Sequence, residues 1–148
     1  MDARKGRVGV SRGIITGVTN GSAGDGYSHW KLDETGWWLQ YADGSYATGY
    51  TVSDVEGNVR EIWAWEYING AWWAFGADGY AHIGWLYDTI LNGWFYIDAD
   101  TGMKIGWHLM DGKWYYFNVV SDGTLGKLYI DMITPDGYYV DENGVWIE

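Results

Sequence analysis

From Trp30 onward, short aromatic stretches alternate with polar, glycine-containing breaks. WFYID (94–98) and WYYFN (114–118) are the clearest stretches. In an extended strand successive side chains point to opposite faces. Trp94 and Tyr96 therefore share one face, and Phe95 and Ile97 the other. The breaks carry Asn-Gly or Asp-Gly at 69–70, 92–93, 111–112, 136–137 and 143–144. Such pairs supply the positive φ that tight hairpin turns require. No stretch holds a helical period of about 3.6 residues through three turns. The pattern predicts short β-hairpins and an all-β chain.

The hairpins repeat. Trp30 and Trp37, Trp65 and Trp72, and Trp107 and Trp114 each lie seven residues apart; Trp85 and Trp94, and Tyr129 and Tyr138, lie nine apart. These pairs define five units. From Trp72 on, the second aromatics are spaced 22, 20 and 24 residues. A recurring period near 20 marks a stacked repeat array, here a β-solenoid of hairpins. The second unit is irregular. Residues 51–62 (TVSDVEGNVREI) precede Trp65, and Ala64 stands where other units have glycine. They read as an inserted loop or hairpin. The chain divides into a glycine-rich segment 1–27, a linker or an extra strand on the first hairpin, and a repeat domain 28–148.

Composition narrows the function. The chain has 148 residues with 12 Trp, 13 Tyr, 23 Gly and one Pro, an aromatic content that argues against disorder. Cysteine is absent, which excludes disulfides and thiolate chemistry. No run of 18 apolar residues offers a membrane span. The N-terminus lacks the apolar core of a signal peptide, so an export signal is expected outside this sequence. The formal net charge is −11. Four basic residues (Arg4, Lys5, Arg7, Arg12) fall within the first twelve, which leaves the repeat region strongly acidic. Such a body repels nucleic acid and attracts cations.

Catalytic and metal motifs are not evident. Asp98-x-Asp100-x-Gly102 lacks the downstream glutamate of a calcium loop and reads as turn chemistry. No carboxylate pair stands out as the acid and base of a glycosidase. His29, His82 and His108 are too scattered for a metal site or a triad. The chain is expected to be no enzyme and to need no cofactor.

GWHLMDGKWYYFNVVSDGTLG (106–126), NGWFYIDADTGMKIGW (92–107) and WKLDETGWWLQYADGSY (30–46) resemble the cell-wall-binding repeats of choline-binding proteins, which are related to glucan-binding repeats. The resemblance runs from Trp30 to Glu148. It implies a secreted or surface module on a bacterial cell wall, with choline groups of teichoic acids as ligand. It also implies sites between consecutive hairpins, two aromatics from one unit and a third from the next, often near a methionine. Carried over, the candidate sites are Trp85, Trp94 and Trp114 with Met103; Trp107, Trp114 and Tyr138; and Trp65, Trp72 and Trp94. A set of Trp30, Trp37 and Trp72 is separated by the insertion. The C-terminal hairpin with Trp146 is implied as a homodimer contact.

The chemistry suits the implied ligand. A quaternary ammonium has diffuse charge and poorly hydrated methyl groups, and aromatic faces match both at ~0.5–2 kcal/mol per ring. Two other readings stay open. The same rings could stack on a glucan or other glycan, or they could form the core of a non-binding spacer. Phe75, Phe95, Ile97 and Phe117, on the other strand faces, are expected to be core.

Overall fold

The computed structural model describes Gly9, Val10 and residues 29–148. Among these residues every regular element is a strand. β1 (Gly9–Val10), β2 (His29–Leu32), β3 (Trp37–Gln40) and β4 (Tyr46–Ala47) form one sheet in the order β1-β4-β3-β2. β1 runs parallel to β4, pairing Gly9 with Tyr46. The rest of segment 1–27 lies outside the described residues.

The remaining strands pair locally. β5 (Tyr50–Ser53) and β6 (Val59–Ile62) form an antiparallel hairpin over the irregular stretch. β7 (Ala64–Ile68) pairs with β8 (Ala71–Phe75), and β9 (Gly84–Asp88) with β10 (Gly93–Asp98), which also pairs with β11 (Gly102–Met103). β12 (Gly106–Met110) pairs with β13 (Lys113–Phe117), and β14 (Met132–Ile133) with β15 (Tyr139–Val140). The all-β class and the repeat of short aromatic hairpins are as the pattern predicts.

The turns are of two kinds. At Asn69-Gly70 and Asp111-Gly112 both residues have positive φ (51° and 87°, 51° and 76°), the geometry of a two-residue hairpin loop. Elsewhere an aspartate closes a longer turn. Asp43, Asp78, Asp98 and Asp122 each accept, through Oδ1, the backbone N–H two residues ahead. Asp98 is thus a turn residue, as read from the sequence. The unit built on Tyr129 and Tyr138 is shifted. Tyr129 lies outside any strand and donates its N–H to the Tyr116 carbonyl, while the hairpin itself is β14–β15.

Alternation decides what is buried. Phe75, Phe95, Ile97 and Phe117 are fully buried, as expected of their strand faces. One core cluster joins Trp63, Trp65, Trp72, Leu86, Phe95, Ile97 and Met103, spanning the second and third hairpins. A second joins Leu39, Tyr41, Ala47, Ala64, Ile68 and Phe75. Beside it, the Tyr41 hydroxyl donates to the buried Glu66 carboxylate at 2.5 Å.

Candidate functional site: three aromatic clefts

Each hairpin has two faces, and each face meets a different neighbour. On β9–β10, Leu86, Phe95 and Ile97 point one way and are buried. Trp85, Tyr87 and Trp94 point the other way and are 37%, 37% and 40% exposed. On β13, Tyr115 and Phe117 turn toward Trp85, while Trp114 and Tyr116 lie on the Trp107 side. This follows from the period of two along a strand.

The middle cleft is built on that exposed face. Trp85 stands nearly perpendicular to Trp94, with ring centroids 6.4 Å apart at 85°. Tyr115 closes the third side at 5.1 Å from Trp85, and Phe117 backs it at 5.8 Å and 39°. The Leu128 amide bonds the Trp94 carbonyl at 2.8 Å, and Leu128, Ile130 and Glu142 line the rim of a cavity of about 420 Å³.

The N-terminal cleft repeats this geometry. Trp30 and Trp37 are 6.2 Å apart at 89°. Trp73 lies 5.2 Å from Trp30, and Phe75 lies 5.6 Å away at 36°. The Ala81 amide bonds the Trp37 carbonyl at 2.9 Å. Ile83 and Asp100 complete a cavity of about 370 Å³. The inserted hairpin β5–β6 separates these hairpins in sequence but not in space.

The C-terminal cleft, about 460 Å³, is lined by Trp107, Trp114, Asp136, Tyr138 and Trp146. Trp107 meets Tyr138 edge to face at 5.9 Å, and Tyr138 meets Trp146 at 6.0 Å. The Trp146 amide bonds the Trp114 carbonyl at 2.9 Å, the same bridge as in the other two clefts. Trp107 Nε1 donates to Asp136 Oδ2 at 2.9 Å, and Thr134 Oγ1 to Asp136 Oδ1 at 2.5 Å. The Thr134 hydroxyl, then the Trp107 indole, hold the Asp136 carboxyl below its ordinary pKa of 3.8.

The expected triads are regrouped. Trp107, Trp114 and Tyr138 come together. Trp85 and Trp94 come together, but the third ring is Tyr115, because Trp114 faces the following cleft. Trp65 and Trp72 are buried at 2% and 5%, so their interface is sealed. Leu86 and Phe95 lie across it, and Trp65 Nε1 donates to Asp88 Oδ2 at 2.8 Å. Trp94 points away from that interface. Met103 is 8% exposed within the same core and lines none of the three clefts. The sequence reading missed Tyr115, Trp73, Asp136 and the role of Trp146. The strand alternation already noted for Trp94 and Phe95, applied to 72–73 and 114–115, locates the first two. Among the described residues no group of three or more His, Asp or Glu side chains could hold a metal ion.

No protein-family model and no curated protein sequence matches the chain. Solved structures do. CbpF in complex with ipratropium matches at 26% identity and TM-score 0.50, over 80% of this chain and 38% of that one. The multimodular pneumococcal cell wall endolysin from phage Cp-1, complexed with choline, has TM-score 0.53 at 23% identity, over 82% of this chain and 37% of that one, and shows the same fold. The choline-binding domain of Spr1274 from Streptococcus pneumoniae is 34% identical over 57% of this chain and 93% of that domain, with TM-score 0.48. The chain belongs to the choline-binding repeat family. It spans well under half the length of CbpF and of the endolysin. Within this choline-binding repeat chain, the three open clefts are its candidate ligand sites, and the Trp65–Trp72 interface has become core.

Proposed function

We propose that the chain is a non-catalytic module that holds its parent protein on a bacterial cell surface by taking choline groups of teichoic acids into the three clefts. The observation that carries this reading is the recurrence of one arrangement. Two tryptophans from one hairpin, an aromatic from a later strand and one carboxylate line each cleft (Asp100 in the N-terminal, Glu142 in the middle and Asp136 in the C-terminal one). Exposed perpendicular rings with a nearby anion suit a methylated cation better than a neutral sugar. The choline-binding relatives support the same ligand. Among the described residues no helix is long and apolar enough to cross a membrane.

Three rings give roughly 4 kcal/mol, a millimolar site. Several such sites on one chain retain it on a polymer far more strongly than one. Choline at millimolar concentration is expected to change the tryptophan fluorescence and raise the Tm. Binding to an α-glucan with no choline response at roughly 100 mM sinks the choline reading in favour of a glycan. No response to either ligand favours a spacer. The exposed apolar residues Met132, Ile133 and Ile147 support the homodimer proposed at the C-terminal hairpin. A monomer mass by light scattering at high concentration refutes it.

A further inference from the structure

The geometry points to Asp136 as the residue that makes the C-terminal cleft prefer a quaternary cation over a neutral group of the same shape. This inference rests on the cation reading above and adds a residue and a discrimination to it.

The carboxylate is fixed from both sides. One oxygen accepts the Trp107 indole N–H and the other the Thr134 hydroxyl. Both donors favour the ionised form. A single turn delivers this charge together with a ring of the cage. Gly137 N–H bonds the Thr134 carbonyl, Thr134 N–H bonds the Tyr138 carbonyl, and Tyr138 N–H bonds Thr134 Oγ1 at 3.1 Å. The anion and Tyr138 are therefore positioned as one unit, with Asp136 lining the cavity that Trp107, Trp114 and Trp146 also line.

The contact with Trp107 acts twice. Asp136 is exposed at the rim of the cleft, so it attracts a cation in the cavity directly but through a field that water and salt screen. It also accepts a charge-assisted hydrogen bond from the indole, which draws that N–H toward the anion and leaves the ring face more negative. Both effects act on charge and neither on shape. An uncharged ligand of choline's outline gains only ring contact and apolar burial.

The test compares choline with 3,3-dimethylbutan-1-ol, its carbon isostere, followed through the indole N–H signals of Trp107 and Trp114 by NMR. The whole chain is used, and the Trp85 and Trp94 signals serve as an internal control. In the wild type, choline is expected to bind this cleft at least about fivefold more tightly than the isostere. Asp136→Asn is expected to weaken choline about three- to fivefold, leave the isostere unchanged, and leave the middle cleft unchanged. Asp136→Glu, which keeps the charge, is expected to retain the preference. Equal binding of the two ligands by the wild type overturns the inference without recourse to any variant. So does an equal loss of both in Asp136→Asn, which marks a purely structural role. If choline shifts no indole signal in any cleft, the cation reading itself has failed, and this inference with it. If choline binds all clefts and Asp136→Asn leaves it unchanged, only the present inference fails.

Discussion

Adjacent residues in one strand carry opposite duties here. Trp94 is 40% exposed and walls the middle cleft, while Phe95 is fully buried beside Trp65 at 5.2 Å. Trp94→Ala removes one ring from an open cleft. It is expected to fold, with a Tm close to wild type, and to lose the choline response of the Trp85 signal. Phe95→Ala opens a cavity in the core shared by the second and third hairpins. It is expected to cost about 3–5 kcal/mol in chemical denaturation. Large destabilisation from Trp94→Ala with little from Phe95→Ala would invert the assignment of faces. The same rule of alternation explains where the sequence misled. A strand residue can wall only one cleft, yet the repeat spacing places Trp114 in two. Trp114 and Tyr115 look interchangeable as aromatics, and only the phase of the strand separates them. The burial of Trp65 and Trp72 was harder to read, because their own spacing matches that of Trp107 and Trp114. The closure comes from the opposite hairpin, which presents Leu86, Phe95 and Asp88.

At the scale of the element, turns hold the hairpins in place, and aspartates hold the turns. Backbone N–H groups of Asp100 and Thr101 hold the Asp98 carboxyl below its ordinary pKa of 3.8. The Thr124 hydroxyl and N–H do so for Asp122, and Asn58 does so for Asp54. The sign follows directly. A carboxyl with a folded pKa below its unfolded value favours the folded state when ionised. Its stabilisation is present above the unfolded value and is lost as pH falls through the folded one. The Tm is therefore expected to stay level as pH drops from neutral to about 4, then to decline below it. Asp98→Asn is expected to flatten that decline, as followed by circular dichroism. An unchanged decline would show that these turns do not govern acid stability. The hairpin repeat was legible because Asn-Gly, Asp-Gly and aromatic alternation are local signals. The N-terminal cleft was not, because Trp30 and Trp73 meet across an inserted hairpin. That juxtaposition depends on hydrogen bonds such as Gly49 N–H to the Gly76 carbonyl and Ala77 N–H to Glu61 Oε1 at 2.7 Å, which close the insertion at its base.

For the whole molecule, the question is what three weak clefts achieve together. In the function proposed above, a cleft of three or four rings holds one choline at roughly millimolar affinity, too weak to keep a protein on a surface by itself. Once one cleft is engaged, the others meet the polymer at a high effective concentration, and retention rises by about 10²–10⁴ where the spacing permits joint binding. The strongly acidic chain adds a long-range attraction for cationic groups that salt weakens. Three variants separate these contributions: Trp37→Ala, Trp94→Ala and Trp114→Ala, each emptying one cleft through an exposed ring. For free choline, each is expected to lose one site and leave the others at their original affinity. On a surface densely coated with choline, each is expected to dissociate at least about tenfold faster than wild type, as measured by surface plasmon resonance. The double variants are expected to approach single-site behaviour. If one variant alone abolishes retention and the other two have no effect, a single dominant cleft accounts for attachment and the cooperative account is wrong. Equal, graded losses would instead show that repetition of the hairpin is itself the source of affinity.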